Sequence, residues 1–207
     1  MHRLRVLILV DGYLSDDLPC HDMAETIIVR ECRHGQVRVQ FGNIIRVEWV
    51  VMFIHDNNIL AGRESLDEKM KLADCAELRA MCTEIAVERR KEGKQPCGVG
   101  EAVTTPGFNL PAEHLIHVVG PDCRRPNQDN FRRELLLNSY NAMFEEISKI
   151  KSRETLVTPP LGMDVFAYPH REGARMTMEI ILDWMDREED PGVRMVLIVT
   201  DEVNFLN

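Results

Sequence analysis

Few side chains in this 207-residue chain have the types and spacing that chemistry needs. Asn57 and Asp67 set an amide, which both donates and accepts, ten positions before a carboxylate. A carboxylate does general-base work only within hydrogen-bond reach of the water or hydroxyl it activates. By local preference alone both residues are ordinary, since Asn favours turns and Asp favours helix N-termini. His114 and His117 have the HxxH spacing of metal ligands, but they lack a third ligand and a helical HExxH context. They read as structural or surface residues, and no metal site is expected. Cys75, Cys82 and Cys97 read as core or surface thiols, and no Cys/His nucleophile pair can be argued from their positions.

These groups must be held by alternating strands and helices. Leu4 to Val10 reads as a strand closed by Asp11-Gly12. Thr26 to Arg30 and Gln36 to Phe41 read as two strands around a His34-Gly35 turn. Val47 to Ile54 is almost continuously apolar, the pattern of a strand buried on both faces. Leu66, Met70, Ala73, Leu78, Met81, Cys82 and Ile85 recur at helical spacing within Ser65 to Arg90, and Ser65 with Glu68 forms a capping box. Gly98 to Thr105 and Leu115 to Val119 read as strands, and Phe131 to Ile150 as a helix with Leu135, Leu136, Tyr140, Met143, Phe144 and Ile147 on one face. Thr155 to Thr158 is a short strand, Arg171 to Arg187 a helix and Arg194 to Thr200 a last strand. Met176, Met178 and Met185 are expected to fill core, and Asp186 to Asp190 to be a solvated helix end. This order argues for an α/β sandwich with a mixed central sheet. Residues 1–24 are the candidate extension or extra edge strand, and 25–207 the domain.

A net charge of −9 argues against a general nucleic-acid binder, although it leaves room for a local basic pocket. The six cysteines have no CxxC spacing and read as reduced thiols of a cytoplasmic or nuclear protein. The first apolar run is too short for a signal peptide, and nothing reaches the length of a membrane span.

The stretch Gly100 to Pro121 (GEAVTTPGFNLPAEHLIHVVGP) resembles the centre of a macrodomain, the module that binds ADP-ribose. The resemblance runs from Gln36 to Phe205 and implies a three-layer α/β/α sandwich with a mixed sheet. Gly42-Asn43-Ile44 is similar to the family's G-D-I, whose Asp accepts from the adenine amino group; Asn43 stands there instead, and its carbonyl can also accept. The family's N-A-A-N falls on Ile54-His55-Asp56-Asn57, which implies that Asn57 contacts the distal ribose. Ten residues on, Asp67 matches the Asp that the hydrolase branch assigns to the chemistry.

The phosphate-binding loops depart from the pattern. Where the family has four glycines, the chain has Gly62-Arg63-Glu64-Ser65, and the added side chains restrict backbone approach. The family's S-T-G-V-F-G-Y-P falls on Gly162 to Pro169, where Val165, Phe166, Tyr168 and Pro169 match, Ala167 replaces one glycine and Asp164 the other. A carboxylate a few Å from a pyrophosphate costs on the order of 1–4 kcal/mol. The resemblance implies recognition of ADP-ribose, a related nucleotide or an ADP-ribosylated protein, weakly and without a cofactor. Catalysis as a mono-ADP-ribosyl hydrolase would rest on Asn57 and Asp67. Arg63, Glu64 and Asp164 favour the other class of function, a non-catalytic interaction scaffold that has lost its nucleotide.

Overall fold

The computed structural model describes residues 7–9, 26–41, 50–54, 76–108, 112–124, 131–151, 153–163 and 166–200. The expected start of the first long helix, with its Ser65–Glu68 capping box, lies outside them. Eight strands and three helices are described, in the order β1 (Leu7–Leu9), β2 (Thr26–Cys32), β3 (Gly35–Phe41), β4 (Val50–Ile54), α1 (Ala76–Lys91), β5 (Ala102–Pro106), β6 (Ala112–Val118), α2 (Arg132–Lys149), β7 (Thr155–Thr158), α3 (His170–Met185) and β8 (Met195–Thr200).

The strands form two four-stranded runs, β1-β4-β6-β5 and β2-β3-β8-β7, with β7 lying close to both β1 and β4. Within them β1, β4 and β6 are parallel, as are β3, β8 and β7, while β2 and β5 run antiparallel to their neighbours. The mixed sheet expected from the sequence is therefore present. The continuously apolar segments take inner places: β8 lies between β3 and β7, and β6 between β4 and β5. All of β7 and β8 is buried, as strands covered on both faces must be. In β3 only alternate residues are buried, Val37 and Val39, because a strand turns successive side chains to opposite faces.

The helices pack by the same logic. In α2 the buried residues Leu136, Ser139, Tyr140, Met143, Phe144 and Ile147 recur at three- and four-residue steps and form one stripe. It meets the stripe of α3, where Trp184 stacks on Phe144 with ring centroids 4.1 Å apart. Met176 and Met185 fill core as expected. α1 and α2 pack toward the β5–β6 pair and α3 toward β3.

Two expectations need correction. β5 begins at Ala102, not at Gly98, because Gly98 to Glu101 is a turn: Glu101 N–H bonds the Gly98 carbonyl at 3.0 Å, Gly98 N–H bonds the Glu101 carboxylate at 2.8 Å, and Gly100 has φ +79°. The acidic run after α3 is exposed but not merely solvated. Asp186 accepts from the Arg33 backbone N–H at 2.6 Å, and Asp190 from the Gly192 backbone N–H at 2.8 Å and from both terminal nitrogens of Arg194.

Candidate functional site

Parallel pairing brings the C-terminal ends of several strands to common rims. Ile54 at the end of β4 lies opposite His117 of β6, Phe41 at the end of β3 opposite Thr200 of β8, and Thr158 at the end of β7 opposite Ile198. Open α/β sheets bind ligands outside such strand ends. The sequence-derived candidates follow these ends in the chain: Asn43 and Ile44 after β3, Asn57, Gly62, Arg63 and Asp67 after β4, and Gly162 to Phe166 after β7. Asn43, Ile44, Asn57, Gly62, Arg63, Asp67, Asp164 and Val165 lie outside the described residues. Gly162 and Phe166 are described, and they define what can be built of the site.

The segment leaving β7 is stitched from three sides. Leu161 N–H donates to the Tyr140 hydroxyl at 3.1 Å, and that hydroxyl shares a second hydrogen bond of 2.8 Å with Thr177. One oxygen thus joins the β7 end, α2 and α3. Burial of the phenol, which disfavours its charged form, pushes its pKa up to about 12, so it stays neutral. Gly162 is buried with φ +73°, a left-handed conformation, and its carbonyl accepts from Tyr168 N–H at 2.8 Å, closing the loop on itself. Ala167 adopts the same conformation, with φ +51°. It stands where the resembled pattern has glycine, and it takes a conformation that glycine adopts without strain. A left-handed L-residue carries roughly 1–2 kcal/mol of strain.

Phe166 sits between these two points, only 9% exposed. Its carbonyl accepts from Cys123 N–H at 2.8 Å, and the Arg124 guanidinium lies 5.4 Å from its ring centroid. Arg124 is in turn oriented by Asp122, at 2.8 and 2.7 Å to its two oxygens. Tyr168 is fully buried; its hydroxyl reaches the Met176 sulfur at 3.2 Å, and the Arg132 guanidinium lies 5.9 Å from its ring. Burial, then the nearby Glu172 carboxylate, raises its pKa to about 12. Arg132 bonds Glu172 at 2.7 Å, which ties the start of α2 to the start of α3.

The residues supporting the loop, Tyr140, Arg124 and Arg132, were not among the candidates. Tyr140 was legible only as one apolar position of a helical stripe, because its hydroxyl partners lie 21 and 37 residues away.

His117 is not a surface residue. It is 1% exposed near the C-terminal end of β6, with Nε2 3.1 Å from Thr105 Oγ1 and 3.9 Å from Cys82 Sγ, while Nδ1 has no hydrogen-bond partner among the described residues. Burial lowers its pKa to about 4. Cys97 is buried beside the same strand, and its thiol is pushed up to about 12 by burial. Neutral imidazole and unionised thiol fit a structural role, and no cluster of three or more metal-ligating side chains occurs among the described residues. Cys32, Cys82, Cys97 and Cys123 form no disulfide among the described residues. No described helix is long and apolar enough to cross a membrane.

Comparison with known proteins supplies the family. The Macro domain family model matches residues 56–177, more than half of the chain, and the chain belongs to that family. An O-acetyl-ADP-ribose deacetylase of Cronobacter turicensis is 28% identical over 172 residues, 83% of this chain and 93% of that protein. The ADP-ribose glycohydrolase MACROD2 of Xenopus laevis is 26% identical over 92% of this chain, which spans only 42% of that longer relative. Among solved structures, a macrodomain of Oceanobacillus iheyensis superimposes with a TM-score of 0.75 at 23% identity, covering 91% of this chain and 92% of that one. A Trypanosoma brucei macrodomain in complex with ADP-ribose gives 0.64 at 17% identity over 84% of this chain and 66% of that one. At these identities the two structures speak to the fold, which is the α/β/α macrodomain sandwich with a mixed sheet.

Proposed function

We propose that this chain is a divergent macrodomain that recognises ADP-ribose or an ADP-ribosylated protein. The observation that carries the reading is the loop after β7: two left-handed residues, Gly162 and Ala167, hold Phe166 between them at the strand-end rim. Left-handed residues of this kind recur in the backbone concavities that bind anions such as a pyrophosphate. Relatives named for ADP-ribose chemistry support the same ligand. In this reading Asn43 and Ile44 face the adenine end, Asn57 holds the distal ribose, and Gly62, Arg63, Gly162, Asp164, Val165 and Phe166 border the phosphates. Residues 1–24 are in this reading the source of an extra strand, since β1 pairs with β4 at the end of its four-stranded run, and no cofactor takes part.

The affinity is low in this proposal, because Asp164 places a carboxylate in a phosphate loop and Arg63, Glu64 and Ser65 fill the other. Calorimetric titration with ADP-ribose tests it. Asp164→Gly should tighten binding by about fivefold, the lower end of a like-charge repulsion at a few Å, and by more at low salt. Binding by the unaltered protein tighter than about 1 µM would contradict the weak-binding reading, and no binding in Asp164→Gly would contradict the ligand.

A second reading, hydrolysis of a mono-ADP-ribosylated side chain, is favoured by the ten-residue separation of Asn57 and Asp67. Asp67→Ala would then abolish release of ADP-ribose while keeping most affinity, because the carboxylate acts in the transition state; Asn57→Ala would lose both.

A further inference from the structure

The Phe166 loop is bordered by arginine, on a chain whose carboxylates outnumber Lys and Arg by 34 to 25. Arg124 and Arg132 lie against the rings of Phe166 and Tyr168, and each is engaged by a carboxylate, Asp122 and Glu172 respectively, at 2.7 Å. Two further guanidiniums are exposed at the starts of α2 and α3. Arg133 is 58% exposed and reaches Glu172 only at 3.6 Å. Arg171, exposed in the first turn of α3, forms no ion pair among the described residues. Phe131, the residue that starts α2 two positions before Arg133, is 62% exposed, where the other exposed large apolar side chains described reach 44% at most. Glu134, one residue beyond Arg133, is the acidic neighbour in that turn of α2.

An exposed aromatic ring flanked by guanidiniums matches what protein interfaces concentrate at their centres, and guanidinium forks fit carboxylates with two parallel hydrogen bonds. We infer that Phe131, Arg133 and Arg171 form a docking edge for an acidic polypeptide segment carrying an apolar side chain. A peptide with two or three carboxylates ends within this edge. A nucleic acid, with a phosphate every few Å, would run off it onto a surface of net negative charge. The edge itself stands without the nucleotide. Its role as the surface that reads the protein bearing an ADP-ribosyl group rests on the proposed function.

The test uses the full chain and a fluorescent synthetic peptide of Glu and Asp around one Leu, bearing no ADP-ribose, followed by anisotropy. The wild type should bind it, more weakly as salt rises. Arg133→Gln with Arg171→Gln should weaken binding about tenfold, the loss of two exposed charge contacts of up to about 1 kcal/mol each. Arg171→Gln alone, which breaks no ion pair, should give part of that loss at unchanged melting temperature. Calorimetry on the same proteins should find ADP-ribose affinity unaffected. No peptide binding, equal binding of a Lys-for-acid peptide, full binding by the double variant, or tighter binding of oligothymidylate than of the peptide would each overturn the edge. Peptide binding with no ADP-ribose binding even by Asp164→Gly would sink the nucleotide reading and leave the edge standing.

Discussion

The two ends of the β7–β8 pair are built differently. At their starts, tight backbone approaches are met by glycine. A Cβ on Gly35 would come within 2.0 Å of the Arg194 carbonyl oxygen, and one on left-handed Gly192 within 2.6 Å of Arg153. Polar groups fill what remains: Arg153 donates to the carbonyls of Ile150 and Pro191 at 2.6 and 2.8 Å, and Asp190 takes the Arg194 fork. Past the C-terminal end of β7, alanine occupies a left-handed position that glycine would fill without strain, and aromatic rings under guanidiniums hold the loop. One end is relaxed and the other keeps strain that its surroundings must hold in place. Stored strain of this kind collects where a backbone serves a ligand.

Gly35→Ala should break the relaxed end most severely. The clash is with backbone, so β3 must part from β8, at a cost of about 3 kcal/mol or more in urea denaturation. A loss under about 1 kcal/mol would mean that the close approach there is not needed.

Acid separates the start of the β7–β8 pair from the core around β6. The folded pKa of His117, about 4, lies below the ordinary 6.5. Above pH 6.5 the group is neutral in both states and costs nothing. As pH falls toward 4 the unfolded chain takes up the proton first, and stability drops by up to about 3 kcal/mol. The Arg194 side chain, followed by the Gly192 N–H, holds the Asp190 carboxyl far below the usual carboxylate range, so that end should keep its charge pair through the same window. His117→Gln should flatten the fall in urea midpoint between pH 7 and 4.5. An unchanged slope would clear the imidazole.

The smallest effect is expected at the strained end. Ala167→Gly should stabilise the protein by about 0.5–1 kcal/mol, the relief of left-handed strain less the extra chain entropy of glycine. A destabilised variant would show that the alanine methyl does more by contact than it costs by conformation.

The sequence reads well where one local rule dominates. Thr155 to Thr158 is the strand expected, and the second helix differs by one residue at each end. Apolar continuity and helical periodicity are local properties, and burial obeys them. The interactions that shape the site are not local. Asp186 meets the backbone of Arg33 across 153 residues, and nothing in an acidic run announces this. The same holds for Tyr140, whose stripe position was legible and whose hydroxyl partners were not. Gly162 and Phe166 could be named from a matching motif, but the motif gave no sign that Ala167 would take a left-handed backbone. His117 fell in an apolar run whose burial was readable, while its Nε2 partners come from α1 and β5, 35 and 12 residues away.

The shared oxygen of Tyr140 makes the rim audible at a distance. Leu161 cannot shift without disturbing the hydrogen bond to Thr177, and Thr177 lies in the middle of α3. Anything that settles into the loop and displaces that amide therefore pulls on a helix that is stacked, two turns further on, against α2 through Trp184. The phenol acts as a linkage rod between a mobile guest and a rigid frame, and amide exchange along α3 becomes a remote gauge of whether the loop is occupied.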